Sequence, residues 1–237
     1  MNTESFFTAD QIERFASRAV DADKTIIVEI DVDDLSTLKD NGYRLCFAKK
    51  TGSSDELTYD VVWQAYLEYL SYNYFGYVFD YQIFCTNNFE DGALVQTRTT
   101  LVDIDFGEES TLNEFGVLSP AVTGTDPDSI VLNNEYGPIY PGLCQAAINL
   151  EGAQENAPIY VDETEAIVGT SAMTTVDEVL VWFEQNTETG TMFSTERSNS
   201  FAVDLTSTDL ATVLYQGGVW SLQPNPDKLA ALLEAAR

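Results

Sequence analysis

The side chains best suited to do chemistry in this chain are aromatic. Tyr69, Tyr72, Tyr74, Phe75 and Tyr77 fall close together, with Glu68 and Asn73 among them. Tyrosine faces pack against the apolar faces of sugar rings while the hydroxyl keeps a polar tip. Asn73 and Glu68 can supply hydrogen bonds beside such a ring. These seven residues are the candidate ligand-binding set, and the ligand they suit is neutral or cationic, a glycan first. Two other uses of the same rings stand open. They can pack in the core or in a subunit contact of a homo-oligomer. They can also form a membrane-interface patch, where tyrosine is favoured, though no Lys or Arg flanks them.

The strongest exclusion comes from a missing residue: the chain has no histidine. Ser-His-Asp and Cys-His nucleophiles are therefore absent, and so are imidazole metal sites. No catalytic residue, cofactor or transition metal is expected. Proton transfer would fall to Asp, Glu, Tyr, Lys or Cys. A histidine-free lyase, isomerase or cyclase using Asp, Glu and Tyr in a β-barrel pocket is thus the alternative to a recognition protein. Calcium stays open, because Asp126, Asp128, Asn133, Asn134 and Glu135 offer the oxygen ligands it takes.

Charge narrows the partners. The chain carries 39 acids against 11 bases, a net charge of −28. Between Lys50 and Arg197 the one base is Arg98, against 25 acids. Such a field opposes contact with nucleic acid and with anionic membranes. Arg98 and Arg197 are expected to pair with a neighbouring carboxylate or to hook an anion inside a pocket. Cys46, Cys85 and Cys144 are odd in number and lack a C-x-x-C spacing, which fits buried thiols in a reducing compartment. The N-terminus lacks the basic start and apolar run of a Sec signal. A soluble protein is expected, cytoplasmic or released without that signal.

These candidates need a scaffold, and the period of the apolar residues points to strands. Aromatic and β-branched residues alternate with polar ones over 59–64 and 77–84, predicting two strands joined by 69–76. Ile26, Val28, Ile30 and Val32 predict an earlier strand, with Asp31, Asp33 and Asp34 at its solvated end. These acids are not an EF-hand loop, which needs glycine at its sixth position and glutamate at its twelfth. Further strands are expected at 43–49, 93–106, 112–118, 159–161, 166–168, 179–183, 201–205 and 213–220, the last with a bulge or a close backbone approach at Gly217 and Gly218. The span 119–141 reads as irregular around Ile130, Val131 and Leu132.

A capping box from Thr8 to Gln11 opens one helix, expected to end near Asp21–Lys24. Asn225-Pro226 opens another, at 226–236. The expected fold is all-β: an antiparallel β-sandwich or flattened barrel with a short helix at each terminus. The chain reads as a single domain over 1–237. Because Val61-Val62-Trp63 is echoed by Val179-Leu180-Val181-Trp182, two related β halves, about 25–118 and 159–221, are an alternative organisation. Val102, Ile104, Phe106, Val179, Val181 and Phe183 should face one apolar core.

Overall fold

The computed structural model describes residues 22–53, 56–150 and 152–225. The helix expected from Thr8 lies outside the described residues except for its end, where Lys24 already begins a strand, and the helix expected at 226–236 lies outside them. The first elements are β1 (Lys24–Ile30), α1 (Val32–Asp40), β2 (Tyr43–Ser53), β3 (Glu56–Thr58), β4 (Gln64–Tyr66) and β5 (Tyr72–Thr86). Then come β6 (Val102–Ile104), β7 (Glu108–Leu112), β8 (Val122–Thr123), β9 (Ile130–Asn134) and β10 (Tyr140–Ile148). The chain continues with β11 (Gln154–Val161), β12 (Gly169–Gln185), β13 (Phe201–Asp204), β14 (Leu210–Gln216) and β15 (Val219–Gln223). No helix among the described residues is long and apolar enough to cross a membrane.

The strands form two curled sheets packed in a sandwich-like half-barrel. The first runs β11-β10-β5-β1-β14-β15, with β6 also on β5. The second runs β3-β2-β12-β9-β7-β8, with β13 on β12 and β4 on β2. Each sheet draws strands from both halves of the chain. Two pairs are parallel, β1 with β14 and β7 with β9. Among the described residues the remaining strand pairs are antiparallel.

The core lies between the sheets because both present apolar residues inward at period two. Ile26, Val28, Phe75, Tyr77 and Ile83 of the first sheet meet Leu45, Phe47, Val179 and Val181 of the second. Phe47 stacks on Phe75 with ring centroids 4.1 Å apart, and Phe183 stacks on Trp220 at 5.3 Å. The six residues expected to share a core do so: Ile104, Val179 and Val181 are buried, with Val102, Phe106 and Phe183 packed against them. The three cysteines are free and buried.

Several local expectations are corrected. The first strand stops at Ile30, and Val32 opens α1 instead of continuing it. Asp31 is the N-cap, accepting from the Asp33 amide at 3.0 Å, with Asp33 and Asp34 in the first turn. Acids there complement the positive end of the helix dipole. Residues 60–63 are buried, Tyr59 is half-buried, and the stretch is irregular because its backbone serves two partners. Val62 N–H donates to the Thr191 carbonyl, and Trp63 N–H to that of Phe47. The strand expected at 93–106 shrinks to β6, and that at 112–118 breaks at a turn after β7. Gly217 and Gly218 are not a bulge. Both have positive φ, 61° and 78°, and form the two-residue turn between β14 and β15, a primed geometry that suits strand twist.

Candidate functional site

The seven residues read from the sequence as a ligand platform are mostly inside the protein. Residues 72–76 are not a connection but the first part of β5. Period two then divides the rings between two buried faces. Phe75 and Tyr77 point into the inter-sheet core, and Tyr74 enters a separate cluster with Ala22, Ile27, Ile148 and Leu210. Tyr69 is buried and donates to the Tyr43 carbonyl at 3.0 Å. Asn73 is buried as well, and ties its own turn to Leu70 through both ends of its amide. Only Tyr72, half-buried, and Glu68, exposed, reach solvent. Tyr69, Tyr74, Phe75, Tyr77 and Asn73 are therefore not presented as a stacking surface; sheet burial is the physical reason.

The structure assembles a different site further along β5. Between β5 and β10, Tyr77 pairs with Ala147 and Tyr81 with Gln145. Val78, Phe79 and Asp80 thus oppose the single residue Ala146. Between β12 and β2, Thr175 pairs with Thr51 and Val179 with Lys49. Val176, Asp177 and Glu178 thus oppose Lys50 alone. These two bulges, one in each sheet, have two extra residues apiece, and residues of both line one cleft. Bulges re-aim side chains and gather beside functional sites.

This cleft of about 410 Å³ is lined by Phe79, Tyr81, Asp105, Phe106, Thr175 and Asp177. A second recess of about 400 Å³ shares Tyr81 and Asp105 and adds Asp80, Asp103, Glu108, Gln82 and Asn156. Among the described residues, no lysine or arginine lines either one. Phe79 is 41% exposed, an unusual state for a ring in mid-strand. Its edge meets Tyr77, and Phe106 stands edge-on to Tyr81 with centroids 5.4 Å apart. Gln145 steadies the floor, donating to the Val78 carbonyl at 2.9 Å and to the Tyr81 hydroxyl at 3.4 Å.

Behind the cleft, Asp177 is held by two hydrogen-bond donors and a second ammonium. Lys49 Nζ lies 3.0 Å from Oδ1, the Tyr77 hydroxyl donates to the same oxygen at 3.2 Å, and Lys24 Nζ stands 3.7 Å from Oδ2. Lys24 also pairs with Asp209 at 2.9 Å. The Lys49 ammonium sits over the Tyr77 ring, 4.1 Å from its centroid. Its side chain has no exposed surface. Burial pushes its pKa down to about 8, against the opposing pull of Asp177. Burial, and then the Asp177 charge, pushes the Tyr77 hydroxyl up. Lys49 is sealed from the cleft, so its lowered pKa does not make it a base for a bound molecule. Its role is to fix Asp177.

Other acid-rich turns serve themselves. Asp126 accepts from Ser129 Oγ and the Asp128 amide. Asn134 ties its own turn to the chain ahead of β12. No group of three Cys, Asp or Glu able to hold a metal ion is found among the described residues. Arg197 pairs with Glu184 at 3.4 Å and lies over the Phe193 ring at 4.4 Å. Arg98 is exposed.

Sequence reasoning missed Asp105, Phe106 and Asp177, and gave Phe79 no site role. A signal was present: Asp80 is the one charged residue of β5, and Asp177 with Glu178 interrupts β12 just before its apolar run. Comparison with family models, with curated proteins and with solved structures finds no match to this chain. The reading of the site therefore rests on its own geometry.

Proposed function

We propose that this is a recognition protein and that its cleft binds a cationic group, an organic ammonium or guanidinium. The observation that carries the proposal is the meeting of two bulges, one from each sheet, at a single recess with aromatic walls and an acidic rim. Phe79, Phe106 and Tyr81 offer ring faces and edges. Cations over such faces gain about 0.5–2 kcal/mol, more where water is excluded. Asp105, Asp103, Asp80 and Glu108 supply negative charge with no base among them. Asp177 adds an acceptor held in place before any ligand arrives, which lowers the ordering cost of binding. The net charge of −28 gathers cations toward any such cleft and speeds their encounter.

The test is a titration with tetramethylammonium and with arginine methyl ester, followed by calorimetry and NMR. Binding should saturate and weaken with added salt. Phe79→Ala and Asp105→Asn should each lower affinity about tenfold. A neutral isostere such as tert-butanol, and neutral glycans on an array, should not compete. If no cation saturates the site, or if both variants bind as the wild type does, the proposal is wrong.

A further inference from the structure

A second surface stands out at the far end of the second sheet. Strands β7 and β9 run parallel and finish side by side, with Leu112 paired to Asn134. Strand β12 starts at the same level, with Gly169 paired to Asn134. The loops 113–117, 135–139 and 162–168 therefore share one end of the sheet. Asn134 binds two of them together, donating from Nδ2 to the carbonyls of Gly137 at 2.7 Å and Ile167 at 3.0 Å. The Glu135 amide donates to the Leu112 carbonyl at 2.8 Å, which docks the third. Within that third loop, Asn113 Oδ1 accepts from the amides of Phe115 and Val117. Gly116 lies against the Tyr136 ring; a β-carbon there would sit 3.2 Å from it.

These tied loops carry five large apolar side chains into solvent. Phe115 is 78% exposed and Ile167 71%, with Val168, Val117 and Tyr136 beside them. The polar residues on the same loops include exposed Glu114, Glu135, Glu163 and Glu165, and no base. A patch of this kind on a folded surface marks an interaction site. The occupant follows from the charges. A second copy would set one acidic rim against another. An anionic bilayer is repelled for the same reason. A phosphatidylcholine bilayer instead presents an outer layer of ammonium groups over a neutral, apolar interior. Its ammonium groups complement these glutamates, and its interface takes Phe, Tyr and aliphatic tips.

We propose that these loops form a tip that seats in the interface of a zwitterionic, phosphatidylcholine-rich bilayer, with no segment crossing it. The tip is separate from the cleft: Thr175 lies six residues along β12 from Gly169, about 20 Å at strand rise.

The test is flotation of the full chain with vesicles of phosphatidylcholine alone and with phosphatidylserine added. The protein should float with the first and be released as phosphatidylserine increases. The double variant Phe115→Asp, Ile167→Asp should lower the partition at least about tenfold, since burial of one such side chain accounts for that factor. Both positions are more than two-thirds exposed, so the melting temperature and the titration of the cleft should not change. In a Phe115→Trp variant, indole emission should shift to the blue on adding vesicles. The proposal is overturned if wild type does not float with phosphatidylcholine or if the double variant floats equally well. It is also overturned if light scattering shows a dimer that the double variant abolishes without any vesicle binding, which would assign the tip to a second copy.

Discussion

From Tyr72 to Tyr77, β5 keeps regular register with β1, and Tyr74, Phe75 and Tyr77 are buried. From Phe79 to Tyr81 the same strand is bulged against β10, and Phe79 opens onto the cleft. The two stretches are equally aromatic. What separates them is two extra residues in the pairing, which turn one ring away from the core and toward the opposite sheet's bulge. Aromatic composition alone does not make a binding surface. A fault in the ladder beside it decides which ring is free to meet a ligand.

Substitution at Phe75 and Phe79 would break this contrast most directly. Phe75→Ala removes the stack on Phe47 and the edge contact with Trp63. We predict a loss of about 3–5 kcal/mol, or a fall in melting temperature of roughly 6–20 °C for a chain of this size. Phe79→Ala should cost less than about 1 kcal/mol. Equal losses in urea denaturation would erase the distinction between the two stretches.

The next contrast lies across the cleft. Asp177→Asn leaves Lys49 charged and buried without its carboxylate, and should destabilise by about 3 kcal/mol. Asp105→Asn changes an exposed residue of the same cleft and should stay within about 0.5 kcal/mol. A urea midpoint for Asp177→Asn that matches the wild type would mean the ion cluster does not hold the bulge in place.

The smallest expected effect is pH dependence. Below about pH 8, Lys49 is protonated in both folded and unfolded chains, and its burial is fully unfavourable. Between that value and its ordinary 10.5 the folded chain releases the proton first. The unfolded state then binds more protons, so the Lys49 contribution to stability rises with pH. The cysteines act in the opposite sense. Burial pushes Cys85 and Cys144 up to about 12 from 9.0, so the unfolded chain loses those protons first. Lys49→Met cancels the cysteine contribution in a difference measurement. The gap between wild type and variant should move in favour of wild type by on the order of 1 kcal/mol from about pH 7 to about pH 9.5. A constant gap across that range would show that Lys49 does not titrate there.

The fold class was legible because alternation in β5, β6 and β12 states which residues face inward, and those residues do meet in the core. Helix α1 was hidden because Val32 extends the alternation of β1 by one step, masking the capping role of Asp31. The platform was misplaced because period two predicts that a strand has two faces, not that both will be covered. Both faces of β5 are buried from Tyr74 to Tyr77. The bulges were illegible for a deeper reason. A surplus of two residues exists only relative to a partner strand, and local sequence does not name the partner. Only the charges of Asp80 and Asp177 hinted that something interrupts the ladder.

The pairing of β1 with β14 bears on how the chain reaches this state. Lys24 meets Asp209 across 185 residues of sequence, and β1 lies between β5 and β14 in the middle of its sheet. An emerging chain can pair β1 with β5 early, yet the other edge of β1 has no partner until Leu210–Gln216 has been made. Closing so long a loop is entropically slow, and topologies dominated by such contacts fold on the slow side of the known range. Until β14 arrives, Ile26, Ile27 and Val28 form an open apolar edge, the kind of edge that recruits foreign strands. The net charge of −28 opposes contact between unfinished copies by mutual repulsion until β14 is made.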